Sequence, residues 1–379
     1  VETHVTSDYD AVVIGAGPAG ALSTYLLART GRRVLLVDKK RFPREKVCGG
    51  CLNARATSVL RSVRLGNLVA DIDAQPLERL FVHAEQRILT LPLTKSFSVG
   101  RSELDQALVE AAQKAGAMFL PETSAKIGAL CGNGSTRLVE LRGHDATWRV
   151  ESAAVIAADG LTHSSLPGTT SVADGSMVGV GAVVHGDDTF RPGEVRMIVG
   201  DAGYVGMVRL SGDRLNMAAA VRSECLREGP AGAVERLLHA AGFKIPPKLS
   251  EASWQGTPPL TRFAVSVADD RLFVLGDATG YVEPFTGEGM TWALESATLL
   301  TPILLELLEG RLTPAAAANT WSRSLLQTQQ RRQTWCRRVA WVLRTPWRRR
   351  TALSVASLIP KLPQWIMHRI GQPVALGSE

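Results

Sequence analysis

The sequence predicts an α/β protein in which a doubly wound domain is interrupted by an inserted β-sheet domain and followed by a helical C-terminal segment. Three observations lead there. Near the N-terminus an apolar run, Tyr9–Ile14, meets a glycine-rich turn, a helical stretch and a second apolar run, Val34–Val37. Between residues 177 and 268, strand-like runs follow one another with a single helical stretch among them. Buried-strand character then returns at Leu272–Leu275 and leads into one long helical pattern from Gly289 to Leu308.

Each element has a local reason. Residues Ala19–Thr30 have helical composition and stop at Gly31, so the first segment reads as strand, turn, helix, strand, a βαβ unit with parallel strands. Helices are expected at 54–65 and at 102–116, the second with Ser102 as N-cap, Asp105 in its first turn and Gly116 as its stop. Leu77–Val82 and Arg87–Leu93 alternate as paired strands do. Strand pieces at 123–150 are broken by a Gly/Asn turn at 131–135, and Ala153–Ala158 is a buried strand ending in Asp159-Gly160. Within the inserted region, strands are expected at VGVGAVV, EVRMIVG, GYVGMVRL and LNMAAAV, with one helix near 224–242. The resulting domains are 1–76 with 98–176 and 269–310, then 77–97 with 177–268, and a C-terminal segment 311–379.

Bulk composition narrows the function classes. At 379 residues and 45% hydrophobic content the chain can bury a large core. The formal charge is +7, but ten Lys or Arg residues lie from Arg331 onward against one acid, Glu379, so the body is near neutral. A nucleic-acid partner is therefore not expected. No run of about 18 apolar residues occurs, and the start VETHVTSDYD lacks the basic-then-apolar order of a signal peptide. A cytoplasmic protein is expected. Five Cys residues without a secretory signal do not form a disulfide framework, and the seven His residues are scattered without ligand spacing, so no metal site is expected.

The chemistry begins at Gly15-Ala16-Gly17-Pro18-Ala19-Gly20. This is G-x-G-x-x-G after a strand and opening a helix, where the first Gly turns the chain, the second admits a pyrophosphate and the third packs helix on strand. The free N–H groups of the helix start favour phosphates. Asp38, at the end of the second strand, suits ribose hydroxyls. By itself the unit does not separate NAD from FAD.

Farther along, Gly276-Asp277 follows a strand, and Pro284-Phe-Thr-Gly287-Glu-Gly289-Met290 opens the long helix. With these segments the chain resembles the FAD-dependent family that includes p-hydroxybenzoate-hydroxylase-type monooxygenases, flavin halogenases and geranylgeranyl reductases. The resemblance implies a Rossmann-like FAD-binding domain with an inserted substrate domain. It puts Gly276 and Asp277 on the ribitol chain and Pro284, Gly287, Gly289 and Met290 along the flavin, where a helix N-terminus stabilises charge on the reduced ring. It also implies that Arg101 contacts the cofactor and that Asp159-Gly160 lies near the pyrophosphate.

Arg41-Phe-Pro-Arg44-Glu-Lys-Val-Cys48-Gly49-Gly50 is similar to the F-P-R-x-K-x-C-G-G segment of geranylgeranyl reductases. That similarity implies Arg44 on the cofactor and Cys48, Gly49 and Gly50 lining the active site. The halogenase W-x-W-x-I-P signature is absent, and the reductase Y-x-W-x-F-P segment is replaced by Gly203-Tyr-Val-Gly-Met-Val-Arg209. Three readings follow. The first is geranylgeranyl-reductase-like reduction of an apolar, isoprenoid- or lipid-like substrate. The second is hydroxylation of an aromatic or polyketide substrate by a flavin C4a-hydroperoxide monooxygenase. The third is a redox sensor or scaffold without turnover, working through Cys48 and Cys51, whose C-x-x-C spacing can make a reactive dithiol. No second glycine-rich fingerprint follows, so NAD(P)H is expected only as a transient electron donor.

The tail is the remaining signal. Trp321, Leu325, Thr328, Arg332, Trp335, Val339 and Val342 mark one helix face. Beyond it come Trp347, Arg348–Arg350 and an apolar stretch broken by Pro360 and Pro363. Trp and Arg beside apolar residues suit peripheral contact with a membrane surface, or a lid over an apolar channel.

Overall fold

The computed structural model describes residues 5–359 apart from 167, 186–189, 284 and 286, together with residue 365. Pro284, Pro360 and Pro363 lie outside the described residues.

Alternation along the first strand, Val5–Ile14, sets up two cores. Ala11 and Val13 point to one buried cluster, Val12 and Ile14 to another. The strand pairs in parallel with Val34–Val37 and with Thr147–Ala157. Met118–Leu120 and Leu272–Val274 extend the parallel sheet on either side. Helices Pro18–Ala28, Arg101–Lys114 and Gly289–Leu308 cover one face. The other face is covered by strands Ser124–Cys131 and Thr136–Arg142, which curl back from the first half of Thr147–Ala157. The domain is thus helical on one side and β on the other, where a doubly wound sheet has helices on both.

The second sheet has eight strands, in the order Gln255–Pro259, Val178–His185, Arg214–Val221, Gly203–Arg209, Glu194–Gly200, Gln75–Ala84, Arg87–Ser98 and Cys51–Leu52. All its pairs are antiparallel except Glu194–Gly200 with Gln75–Ala84. The architecture is a two-domain α/β one with a curled sheet and a C-terminal helical segment.

Boundaries shifted for identifiable reasons. The Gln75–Ala84 and Arg87–Ser98 strands run farther than expected because Glu85 and Gln86 both take positive φ, 51° and 58°, giving a tight turn without glycine. The helix at 54 ends at Ser62, since Arg64 adopts φ 67° and Leu65 N–H donates back to the Leu60 carbonyl at 2.8 Å. The helix expected to start at Ser102 begins at Arg101, with Gly100 at its N-cap; the Ser102 hydroxyl donates to Glu103 and Glu45 instead. The expected 224–242 helix is split into a 3-10 turn, Ser223–Leu226, and Gly229–Ala240, because Pro230 starts the longer helix afresh.

The tail forms one helix, Pro314–Leu343, followed by Pro346–Leu358. Trp321 and Leu325 are buried as expected, with Ala317 buried before them, and the Trp321 indole N–H donates to the Val274 carbonyl at 3.2 Å. Farther on, among the described side chains, Cys336 and Ala340 are buried, while Thr328, Trp335, Val339 and Val342 are half-buried; the Arg332 side chain lies outside the described residues. The expected face had a 3.5-residue repeat, from which a straight helix drifts by about 20° per heptad; the larger part of the shift follows Cys336 packing on Val282 and Trp292.

Candidate active site

The glycine turn is shaped by close backbone crossings. Gly15 has φ 103°, and a Cβ there would stand 2.6 Å from the Ala158 carbonyl carbon and 2.9 Å from Asp159 Cα. Gly276, at φ 60°, passes so near the first helix that a Cβ would lie 2.9 Å from Ala19 Cβ. Three segments far apart in sequence, at Gly15–Gly20, Asp159–Gly160 and Gly276–Asp277, therefore meet at one end of the parallel sheet. This is where ligands bind in open α/β sheets.

Two guanidinium groups sit over the middle glycine. A Cβ on Gly17 would find Arg44 Nη2 at 3.8 Å and Arg101 Nη2 at 3.9 Å. Both arginines are held by Asp105, which is fully buried: Arg101 donates to it from Nε at 3.1 Å and Nη2 at 2.8 Å, and Arg44 Nη1 approaches at 3.3 Å. Despite the burial that opposes charge on it, Arg101 is kept protonated by Asp105 and by Cys48 beside it. Asp38 accepts the Ala16 N–H at 2.8 Å and the Lys40 N–H at 2.9 Å, and meets Arg44 at 3.4 Å. Two fixed positive charges, a glycine without a side chain and an uncapped helix start at Pro18 fit a pyrophosphate.

Asp159 ties down the loop after Gly160: its Oδ2 accepts the Ser165 N–H at 2.8 Å and both the Ser165 and Ser164 hydroxyls, while Oδ1 is buried with no partner among the described residues. Gly160, at φ 67°, leaves room for Lys46, whose Nζ would be 3.1 Å from a Cβ there. Lys46 is a site residue that sequence reasoning missed. Burial and the neighbouring Arg101 lower its pKa, against the pull of Asp277. Burial raises the Asp277 carboxyl above its ordinary range, opposed by Lys46 and Arg101. A carboxyl and an amine poised in this way can share hydrogen bonds with hydroxyl groups between them. The available signal was Lys46 itself, inside the F-P-R-x-K-x-C-G-G segment.

From this corner a cavity of about 570 Å³ runs between the two sheets. One wall has Pro18, Arg101, Asp277, Gly287, Gly289 and Met290; the other has Leu77, Leu80, Leu91, Val195, Met197 and Leu260. Cys48, Gly49 and Gly50 cross between them. Their loop is pinned by Asn216, which donates to the Cys48 carbonyl at 2.9 Å, and by the Gly50 carbonyl, which accepts the Val99 N–H at 2.8 Å. A Cβ on Gly49 would meet nothing within 4 Å, so that residue borders open space. The Cys48 and Cys51 thiols are both free. Burial and the Cys48 thiol push Cys51 up to about 12, so Cys51 is not the attacking thiol of the pair. Neither His163 nor His185 lines the cavity, and among the described residues no three His, Cys, Asp or Glu side chains gather to hold a metal ion.

The polar edge of the cavity was also missed by sequence reasoning. Tyr204 and Tyr281 both line it. Tyr204 lies beside Glu283, which is buried and accepts from Arg344 Nη2 at 3.1 Å. Burial, and next Glu283, raises the Tyr204 pKa well above its ordinary value. Arg344 comes from the end of the Pro314–Leu343 helix, so the tail completes the site.

Asp105→Ala tests the arginine pair. It would leave Arg101 buried without its carboxylate, at a cost of about 3–5 kcal/mol. We expect a lower melting temperature and loss of copurifying flavin; parental melting with full flavin would show that Asp105 does not organise the site.

Comparison with known proteins agrees with this geometry. A family model described as an FAD binding domain matches residues 8–324. Menaquinone reductase of Mycobacterium tuberculosis is 29% identical over 342 residues, spanning 84% of this chain and 82% of that one. Among solved structures, the flavin-dependent brominase Bmp2 superposes with a TM-score of 0.79 at 16% identity, covering 96% of this chain and 93% of that one. PqsL of Pseudomonas aeruginosa, described as a probable FAD-dependent monooxygenase, gives 0.72 at 19% identity, with 90% and 98% covered. The chain belongs to the FAD binding domain family and is an FAD-dependent oxidoreductase.

Proposed function

We propose that the protein hydroxylates an electron-rich ring, a phenol carried on a long apolar chain, at a membrane surface facing the cytoplasm. The observation behind this reading is Tyr204, at the polar edge of an otherwise apolar cavity, set beside the buried Glu283–Arg344 pair. FAD, once reduced by NAD(P)H visiting transiently, supplies the activation of O2. One oxygen atom enters the ring, the other leaves as water, and NAD(P)H provides the two electrons.

The chain's own residues do the positioning. On this reading Arg44, Arg101 and the Gly15–Gly20 turn hold the pyrophosphate, Asp38 and Asp159-Gly160 the ribose end, Gly276-Asp277 with Lys46 the ribitol, and Gly287, Gly289, Met290 and Pro284 the ring. Residues 77–97 and 177–268 form the substrate half. The phenol oxygen donates its proton to Tyr204 Oη as the Tyr204 proton passes to Glu283, and Arg344 balances the charge that Glu283 holds. A ring activated in this way is a better nucleophile. The leucine and valine wall takes the apolar chain.

Reduction of an isoprenoid-like alkene is the second reading, favoured by the Cys48-Gly49-Gly50 loop beside Arg101 and by the likeness to menaquinone reductase. There NAD(P)H would supply the hydride, through FAD, and solvent the proton. The two are separated by incubating the protein and NADPH with 3-pentadecylphenol or with geranylgeraniol, under isotopically heavy O2 or without oxygen. We expect a phenol product containing one heavy oxygen and no product anaerobically. A geranylgeraniol product gaining two hydrogens without oxygen would move the assignment to reduction.

A further inference from the structure

The helix Pro346–Leu358 has two faces that do different things. Arg349, Leu353 and Ala356, spaced four and three residues apart, are buried. Arg349 fastens the helix: it donates to Glu85 from Nε at 2.9 Å, to Asp201 at 2.8 Å and to the Leu343 carbonyl at 3.1 Å. Leu353 belongs to the apolar cluster of Leu77, Leu80, Leu91, Val195 and Met197, and all five of those residues line the cavity. The inner face therefore backs the cavity wall.

The outer face is not what water selects. Trp347, Val355 and Leu358, with Thr351 among them, repeat every three or four residues and are 63%, 38% and 80% exposed; Ile359 beyond them is 52% exposed and Trp341 before them 57%. Arg348 stacks between the two tryptophans, its Cζ 3.6 Å from the Trp341 ring centre and 5.2 Å from that of Trp347. Arg337, Arg338 and Arg348 add positive charge along this part of the chain, while Arg344, Arg349 and Arg350 are paired with Glu283, Glu85 and Asp201, and no acidic residue lies between Arg331 and Glu379. Apolar side chains presented outward among arginines and indoles fit the boundary between lipid headgroups and acyl chains. At 13 residues the helix is about 20 Å long, too short to cross a hydrocarbon core of about 30 Å. A second copy of the chain would oppose one basic face to another, which disfavours it as the occupant. The Gly289–Leu308 helix is apolar enough by composition to cross a membrane, but Leu294, Leu300 and Leu304 are fully buried in the protein core.

We infer that the Trp341–Ile359 segment is an interfacial anchor for an anionic bilayer, lying in its surface, and that the cavity behind Leu353 receives its apolar ligand from that bilayer. The second half rests on the proposed phenol substrate; the anchor does not. Vesicles of phosphatidylcholine with phosphatidylserine, and of phosphatidylcholine alone, test it by flotation of the full FAD-loaded chain. We expect flotation with the anionic vesicles, weakened by salt. The triple variant W347S/V355S/L358S should bind them at least roughly ten-fold more weakly while keeping the parental flavin spectrum and melting temperature. Equal flotation of parent and variant, or no preference for the anionic vesicles, would overturn the anchor. Delivery is read separately: the variant should lose turnover of 3-pentadecylphenol supplied in vesicles and keep turnover of the same phenol in detergent micelles. Loss of both, with flavin retained, would overturn delivery and leave the flotation result standing.

Discussion

Gly20→Ala is expected to give a protein that melts lower and does not hold FAD, whereas Gly17→Ala is expected to melt as the parent does and to fail only in FAD binding. A Cβ on Gly20 would overlap the Gly15 carbonyl oxygen and stand 3.1 Å from its carbon and 3.2 Å from Ala158 Cβ. Backbone meets backbone there, so no rotamer can relieve the contact. The helix Pro18–Ala28 would have to lift from strand Val5–Ile14, yet Ala21, Leu22 and Leu27 are fully buried against the same core as Leu104, Leu108 and Leu300. Overpacking of this kind costs about 1–3 kcal/mol or more, against a total stability of about 5–15 kcal/mol. At Gly17 the nearest atoms are the two arginine nitrogens at ordinary contact distance, so an added methyl meets the ligand's phosphates before it meets protein. Thermal melting and flavin absorbance of the purified variants read the two effects apart. A Gly20→Ala protein with parental melting and bound flavin would show that the turn has slack that the geometry denies.

That contrast marks what sequence can and cannot carry. The roles of Gly15 and Gly20 follow from a local pattern of strand, turn and helix, and they are legible because the Gly20–Gly15 contact lies within one short segment. Ala158 and Asp159, which press on Gly15, come from a distant strand end that the pattern does not show. Asp105 was read as a helix-start acid, which is also a local property; that it anchors Arg101 and Arg44 depends on the loop after Asp38 folding back over the helix at 101. Tyr204, Glu283 and Arg344 come from a strand, a loop and the tail helix, separated by 79 and 61 residues, so no spacing rule could join them. The tail face from Trp335 onward was misplaced by one helix position, about 100°. The 3.5-residue template accounts for about 40° of that, and the rest reflects a change of partner, from the core that holds Trp321 to Val282 and Trp292 around Cys336. The strand layer over the parallel sheet was visible as strands at 123–150, but nothing local says which face of another sheet a hairpin will cover.

The largest effects on turnover are expected from Tyr204→Phe and Glu283→Gln. Phenylalanine at 204 keeps the ring in its edge contact with Phe285, 5.2 Å between centres, and removes only the hydroxyl beside Glu283. Loss of a positioned acid–base group lowers turnover by about 10²–10⁴-fold, and since the apolar wall is untouched KM for the phenol should change far less. The pH profile separates this role from a structural one. Burial raises the Glu283 pKa above the ordinary carboxylate range, and Arg344 opposes the rise. Turnover that needs the Glu283 charge therefore falls as pH drops through that raised value; Arg344→Gln should move the fall to higher pH, and Glu283→Gln should abolish this limb along with most of the rate. Stability runs the other way. A carboxyl whose folded pKa exceeds its unfolded one contributes stability that is present below the unfolded pKa and is lost as pH rises through the folded value. The acid fall in turnover thus occurs where this group is making the fold firmer, so local unfolding does not explain it. If the acid limb stays in place in Arg344→Gln, or if Tyr204→Phe turns over at the parental rate, the proton path does not run through this chain of residues.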